Sequence, residues 1–449
     1  MPVRRKTKAP SRSLRAKPGK LARLLINSTP PSQRVTAKIL PSTEPYVEKA
    51  LGYVRDVLSG EIPACLFVRQ ACERQRQDLQ AFRVSGKYEF DAHEANEWCE
   101  FAELLPHIKG PLAGTDIRLE PWQCFLLTTI FGWKVRGKGT RRFRRVYVEV
   151  PRGNAKSTLS SAVCLKASFA DGEGGAEVYS AATTRDQARI VFEAAQAMAR
   201  KRPLLFKELG VEVLAHAITQ QQTSSRMMAL ASDSNSLDGL NIHLAVVDEL
   251  HAHKTRLVYD VLETGTGKRP QSLIWAITTA GNDRSGICYE QRSYTTKVLN
   301  KTVIDPGHFG IIYTIDETDD WTLESSWQKA NPNWGVSVQP DVVAQLAAKA
   351  MQLPAAQSVF KTKHLDVWVN ADEAWMDMRV WDRCGDPSLS LDQFLGETGY
   401  VGLDLATKTD LAARVIIFRR ELEGKPHYYL FGKYFLPEQA LIDGPTSQY

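Results

Sequence analysis

Arg145-Val146-Tyr147-Val148-Glu149-Val150-Pro151-Arg152-Gly153-Asn154-Ala155-Lys156-Ser157-Thr158 decides how this chain is read. A β-branched run ends in a short loop that holds a glycine. Lys-Ser-Thr and a helix-forming tail follow at once. This is a phosphate-binding layout, in which loop N–H groups and a helix N-terminus converge on an anion. In such a layout Lys156 reaches the β- and γ-phosphates, and the Ser157 hydroxyl binds Mg²⁺. The strict pattern G-x-x-x-x-G-K-[ST] is not met: Val150 and Ala155 stand at its glycine positions, and Gly153 is the only loop glycine. Alone, the stretch reads equally well as an ordinary strand-to-helix turn.

Three further stretches bear on it. Ile242-His243-Leu244-Ala245-Val246-Val247-Asp248-Glu249 is apolar without alternation, which suits a strand buried on both faces of a parallel sheet. Its acids end the strand, where open α/β sheets bind ligands. There Asp248 would hold the Mg²⁺ shell and Glu249 would polarise an attacking water. The competing reading is a pair of acids starting the next helix. Ser272 to Asn282 is another buried run. It ends in Thr278-Thr279-Ala280-Gly281-Asn282, groups that sense a γ-phosphate or simply make a Gly-Asn turn. Upstream, Leu119-Glu120-Pro121-Trp122-Gln123 opens an apolar helix, Cys124 to Trp133. A Gln amide can pair with the adenine edge, although Pro-Trp-Gln is also a plain helix start.

The order of these motifs resembles one family, the large subunit of tailed-bacteriophage terminases. The resemblance rests on Pro121-Trp122-Gln123, on Pro151 to Ser157, and on Ser180-Ala181-Ala182-Thr183-Thr184-Arg185-Asp186-Gln187-Ala188. It continues through Val246-Val247-Asp248-Glu249-Leu250-His251, Thr278 to Asn282, and Gly402-Leu403-Asp404-Leu405-Ala406-Thr407-Lys408-Thr409-Asp410-Leu411. That family's phosphate loop departs from the strict pattern and carries an Arg before the Gly, as Arg152-Gly153 does here. The resemblance implies a P-loop ATPase that pumps double-stranded DNA into a procapsid, in the host-cell cytoplasm at the portal. By it, Gln123 reads adenine, and Arg152 and Lys156 hold phosphates within a Walker A loop of Gly153, Asn154, Ala155, Ser157 and Thr158. Ser157 and the Walker B Asp248 hold Mg²⁺, Glu249 is the catalytic carboxylate, and Thr279 and Asn282 belong to the coupling motif. It also implies a small subunit and a portal protein as partners, and a ring in which a neighbour's arginine completes each site. Arg185 and Arg226 are candidates for that arginine, or surface residues.

Composition sets the outer limits. The 449 residues allow two or three domains, and a hydrophobic content of 43% supports sizeable cores. No apolar run reaches the roughly 18 residues of a membrane span, and no apolar core of a secretion signal is seen. Seven scattered cysteines form no Cys-x-x-Cys pair, which argues for buried thiols in a reducing compartment. His251-Ala252-His253 directly follows the acid pair and reads as part of a helix start.

The net charge of +6 is unevenly placed. Of 57 Lys and Arg, 11 precede Glu44, where no acid occurs, leaving 46 against 51 acids beyond it. Residues 1–43 therefore read as a basic arm, either touching DNA phosphates or merely solubilising. A second basic cluster, Lys134 to Arg145, reads as a surface hairpin turn around Gly137 and Gly139, or as a phosphate contact.

Residues 44–114 read as a helical subdomain with helices Pro45 to Ser59, Ile62 to Arg83 and Ala92 to Leu105. From 115 to 370, strands near 145–150, 177–181, 226–231, 243–248, 272–278 and 309–315 alternate with helices, which implies an α/β fold with a parallel sheet flanked by helices. Further helices are expected at Arg185 to Arg200, Glu324 to Ala330 and Pro340 to Met351. Trp327, Trp334, Trp368, Trp375 and Trp381 read as packing residues. Residues 371–395 read as a linker. From 396 to 449 the resemblance implies the start of a ribonuclease-H-like nuclease, with Asp404 as a Mg²⁺ or Mn²⁺ ligand. Two-metal hydrolysis needs several carboxylates, and Asp410 and Asp443 are weak candidates. The nuclease is therefore expected to be incomplete and inactive here. Two other readings share the motifs: a helicase or translocase unrelated to packaging, and a non-catalytic DNA-binding assembly protein with a relic nucleotide site.

Overall fold

The computed structural model describes residues 44–82, 86–231, 239–369, 381–405 and 412–436. They fall into two compact units, one ending at Asp372 and the other beginning at Glu373. The basic arm, residues 371–380 with Trp375, Asp410 and Asp443 lie outside the described residues.

The first unit runs α1 (Pro45–Ser59), α2 (Leu66–Ala81), β1 (Tyr88–Phe90), α3 (Ala92–Glu103), α4 (Pro121–Gly132), β2 (Trp133–Val135), β3 (Arg145–Glu149) and α5 (Lys156–Phe169). It continues with β4 (Glu177–Ala182), α6 (Arg185–Lys201), α7 (Pro203–Glu208), β5 (Val211–Val213), β6 (Ala217–Gln220), β7 (Ser225–Ala231) and β8 (Ile242–Asp248). Then come α8 (Leu257–Gly265), β9 (Leu273–Thr278), α9 (Ile287–Leu299), β10 (His308–Ile312), α10 (Glu324–Ala330), α11 (Pro340–Gln352) and α12 (Pro354–His364).

Eight strands form one sheet in the order β10-β3-β9-β8-β4-β7-β6-β5. The first six are parallel. The pair β6 and β5 extends one edge antiparallel. All six strands expected from the apolar runs are the six parallel ones. Alternate residues on each strand feed two separate cores. Val146, Val148, Leu244, Val246, Trp275 and Ile277 join the helices α1 to α6 on one face. Tyr147, Ala245, Val247, Ile274 and Ala276 pack on the other face with Leu250, Val258, Leu262, Ile287 and Cys288. Burial on both faces is why these strands read as unbroken apolar runs.

Helix α4 is buried nearly all round, as its uninterrupted apolar sequence requires. Its Phe131 stacks on Trp98 of α3 with ring centroids 3.5 Å apart and lies 6.2 Å from the ring of Trp275 on β9, which ties the helical layer to the sheet. Expected and observed boundaries differ where backbone chemistry intervenes. Helix α2 begins at Leu66, not Ile62, because Pro63 disfavours helical geometry at the residue before it. Trp133 leaves α4 to open β2, which pairs antiparallel with β1. Helix α12 and the short β5–β6 hairpin were not anticipated. A third, smaller core gathers Trp321, Trp327, Val338, Val343, Ala347 and Phe360 around α10 to α12.

In the second unit, β11 (Gly399–Asp404), β12 (Ala412–Leu422) and β13 (Lys425–Phe435) form an antiparallel sheet in chain order. Glu423 and Gly424, both at positive φ, link β12 to β13. Two central residues at positive φ define the tight turn whose twist suits a hairpin. Phe394 stacks on Phe418 at 4.6 Å, with Arg420 over its ring at 4.1 Å. Trp381 is half-exposed rather than buried. Among the described residues, no helix is long and apolar enough to cross a membrane.

Candidate active site

The loops that follow β3, β8 and β9 open at the same carboxyl edge, and these strands are adjacent in the sheet. After β3, Val150 N–H donates to Thr278 O at 3.0 Å. Gly153 and Ala155 then take left-handed backbone angles, φ +89° and +56°. Ala155 thus adopts the conformation for which the strict motif keeps a glycine, at a cost of about 1–2 kcal/mol. At Gly153 a Cβ would stand 3.2 Å from Val338 Cγ2. Helix α5 starts at Lys156, so its first free N–H groups face the loop.

Asn154 is the loop's anchor. Its side chain is fully buried. Its Nδ2 donates to Pro151 O at 3.1 Å and to Asn331 Oδ1 at 2.9 Å, and its Oδ1 accepts from Asn333 N–H at 3.0 Å. Ser337 Oγ donates to Gly153 O at 2.6 Å. The phosphate loop is therefore braced by the segment that follows α10. No local sequence signal announces that brace.

Lys156 folds back onto its own loop. Its Nζ donates to Val150 O at 3.0 Å and to Pro151 O at 3.2 Å. Burial lowers its affinity for a proton, against the pull of Glu249, Asp366 and Asp248. Ser157 Oγ donates to Asp248 Oδ2 at 3.4 Å. Burial and the neighbouring Glu249 charge push the Asp248 carboxyl up to about 6. Burial works the same way on Glu249, but His251, Lys156 and Lys363 outweigh it and hold that carboxyl at about 2. A hydroxyl and a carboxylate oxygen this close are hard donors of the kind Mg²⁺ takes, so Ser157 and Asp248 fit that ion. Glu249 lies at φ +50°, a strained angle of the sort that marks working residues.

The β9 loop completes the edge. Thr279 is buried and lies 3.4 Å from both His251 Nδ1 and Lys363 Nζ. Asn282 follows, partly buried. Lys363, on α12, also reaches His251 Nε2 at 3.0 Å, and its carbonyl accepts from Arg152 N–H at 2.9 Å. Asp366, fully buried, accepts from Ala280 N–H at 2.6 Å. Neither Lys363 nor Asp366 was anticipated from the sequence. The Arg152 side chain is exposed beside the loop, and Thr158 is partly buried in the first turn of α5.

Gln123 is used locally. Its Oε1 accepts from Glu120 N–H at 2.9 Å, closing the N-terminal box of α4. Next to it, Trp122, Tyr53, Tyr313, Asn331 and Trp334 line a cavity of about 200 Å³. Arg226 pairs with Glu177 at 2.8 Å, and Arg185 starts α6. The basic cluster near Gly137 is mostly internal wiring: Arg141 pairs with Asp171, Arg142 with Asp78, and Lys134 with Glu94.

Two family models match the chain. The ATPase domain of the terminase large subunit matches residues 121–297, and its endonuclease domain matches residues 302–443. The chain belongs to the terminase large subunit family. The "Terminase, large subunit" of Enterobacteria phage HK97 is 25% identical over 314 residues, which are 69% of this chain and 59% of that protein. "Protein YmfN" of Escherichia coli K12 is 44% identical over 192 residues, 43% of this chain and 42% of that protein. The chain thus spans well under two thirds of either relative. The crystal structure of the HK97 bacteriophage large terminase superposes with a TM-score of 0.53 at 22% identity, covering 77% of this chain and 69% of that one. That likeness supports the fold.

As a terminase large subunit, the chain corrects one expectation. Nuclease-family sequence does not begin near residue 396, as the incomplete nuclease expected there would require: the match runs from 302 to 443. It starts within the first unit, where β10 pairs with β3. Asp404 ends β11 and is exposed. Among the described residues, no group of three or more His, Cys, Asp or Glu could hold a metal.

Proposed function

We propose that this terminase large subunit is an ATP-hydrolysing motor that drives double-stranded viral DNA into a procapsid. The observation that carries this reading is the edge shared by three adjacent strands. It brings Lys156, the Ser157–Asp248 pair and Glu249 together. In this reading Lys156 exchanges two loop carbonyls for phosphate oxygens on nucleotide binding. Each exchanged bond is a modest net term of about 1 kcal/mol, so the loop is easily primed. Loop N–H groups and Arg152 hold the phosphates, and Thr158 extends the first helical turn of that cradle. Ser157 and Asp248 would hold Mg²⁺, which would supply charge neutralisation at the phosphates. Glu249, ionised at neutral pH, orients the attacking water. Thr279 and Asn282 sense the γ-phosphate. The aromatic cavity beside Trp122 suits the base, with Gln123, the next residue in sequence, as the reader of its adenine edge.

Cutting of concatemeric DNA is assigned to the segment matching the endonuclease model, with Asp404 as a Mg²⁺ or Mn²⁺ ligand in need of partners. Small subunit, portal and a homo-oligomeric ring at the host-cell procapsid complete the proposal. Ala155 in place of the glycine of the strict motif would favour a relic nucleotide site. Its left-handed geometry supports a working loop instead. The test is procapsid-dependent protection of DNA from nuclease, with ATP. Protection lost in Lys156→Ala supports packaging; ATP turnover without protection by any procapsid favours a non-packaging translocase.

A further inference from the structure

The imidazole of His251 lies between Glu249 and Lys363 and is left unused by the proposed mechanism. We propose that His251 is a positioning residue for Glu249, and that Lys363 sets its tautomer. This rests on the hydrolysis reading above.

Two independent contacts fix which ring nitrogen carries the proton. Lys363 Nζ is 3.0 Å from Nε2. An ammonium only donates, so Nε2 must offer its lone pair. On the other side, Nδ1 is 3.1 Å from Thr278 Oγ1. That hydroxyl donates its own proton to Thr279 O at 2.9 Å, so it accepts from the ring. Both contacts put the proton on Nδ1. The same Nδ1 stands 3.1 Å from Glu249 Oε2. Glu249 Oε2 is closed to solvent and has no hydrogen-bond partner where it stands. A small ring rotation passes the Nδ1–H from Thr278 to this oxygen. His251 then ties down Oε2 and leaves Oε1 to the water.

The backbone is arranged to hold the ring in place. His251 N–H is bonded to Thr278 Oγ1 at 3.1 Å, and residues 250–252 form a single tight 3-10 turn. Lys363 contributes from both ends. Its ammonium sets the ring, and its carbonyl holds Arg152 N–H of the phosphate loop. A movement of α12 would therefore change the loop and the catalytic carboxylate together.

The test combines steady-state hydrolysis, nucleotide affinity and the tautomer. Asn places a donor where Nδ1 was; Gln places one where Nε2 was. Wild-type turnover abolished by Glu249→Gln establishes the hydrolysis reading first. His251→Gln and His251→Ala are then expected to lower kcat at least about tenfold with nucleotide Kd within about threefold, while His251→Asn keeps most of the rate. Lys363→Met should lower kcat in the wild type but not in the His251→Asn background, where no tautomer needs setting. A ¹H–¹⁵N spectrum of ¹⁵N-histidine-labelled chain should show His251 with its proton on Nδ1, a state lost in Lys363→Met.

Equal rates for His251→Gln and His251→Asn, or a proton on Nε2, would overturn the inference and leave the ATPase standing. So would a Lys363→Met loss that is the same in both backgrounds with weakened nucleotide binding, which would make Lys363 a phosphate contact. A wild-type chain without turnover would overturn both.

Discussion

Asn154→Ala should destabilise the first unit by about 3 kcal/mol, and the size follows from what each lost bond leaves behind. The side chain makes three hydrogen bonds from a fully buried position. Pro151 O keeps a partner in Lys156 Nζ. Asn331 Oδ1 and Asn333 N–H are left without theirs. An orphaned buried polar group costs about 1–3 kcal/mol, so two give roughly 2–6. Asn331 cannot flip its amide to recover, because its Nδ2 already donates to Trp327 O and His364 O, each at 2.8 Å. Asn154→Asp keeps the acceptor for Asn333 but turns a second oxygen on two carbonyl-type oxygens, and is expected to be no better than Ala. Urea unfolding of the full chain, followed by tryptophan fluorescence, reads both. Binding of a non-hydrolysable ATP analogue reads the loop. If both variants unfold within about 0.5 kcal/mol of the wild type, the brace described here is not what holds the phosphate loop.

Three further outcomes are expected. Asp248→Asn should stabilise the nucleotide-free chain above pH 6 while abolishing turnover. Its folded carboxyl, raised to about 6 from an ordinary 3.8, disfavours the fold increasingly between those values, by about 2–3 kcal/mol. Denaturation at pH 8 and pH 4 checks this, with the gain absent at pH 4. Ala155→Gly should stabilise by up to about 1 kcal/mol, since relief of the left-handed strain outweighs the extra freedom of an unfolded glycine; a lower urea midpoint would contradict it. Asp171→Asn should cost about 3 kcal/mol at pH 7, because buried Arg141 loses its counter-charge. Burial alone would raise the Asp171 carboxyl, but Arg141 and His243 hold it at about 2, against an ordinary 3.8. The wild type's advantage is therefore present above pH 4 and is lost as pH falls through about 2.

The parts of this molecule that were legible in its sequence are those written in adjacent residues. The six parallel strands announced themselves because each side chain of runs such as Leu244 to Val247 enters one core or the other. Lys156, Ser157, Asp248, Glu249 and Thr279 could be named as candidates because each motif is a strand end followed by its own loop. What escaped came from long-range closure. Asn331 and Asn333 meet Asn154 across nearly 180 residues. Lys363 meets His251 across more than a hundred, from a helix whose pattern gave no warning. The His-x-His after the acid pair was read as part of a helix start, because its neighbours Thr278 and Lys363 are distant in sequence. The basic run at 134–145 was ambiguous for the same reason. Its partners Asp78, Glu94 and Asp171 are scattered along the chain. Gln123 shows the converse: its amide oxygen closes a local helix cap, as the plain helix-start reading of Pro-Trp-Gln has it.

The most direct test of the account is steady-state hydrolysis of ATP by the full chain with Mg²⁺, with and without double-stranded DNA, beside Glu249→Gln. Turnover is expected to rise with DNA and to fall by at least about a hundredfold in the variant, the scale on which a positioned carboxylate acts, while nucleotide still binds. Equal turnover in the wild type and the variant, or tight nucleotide binding with no turnover in either, would contradict it.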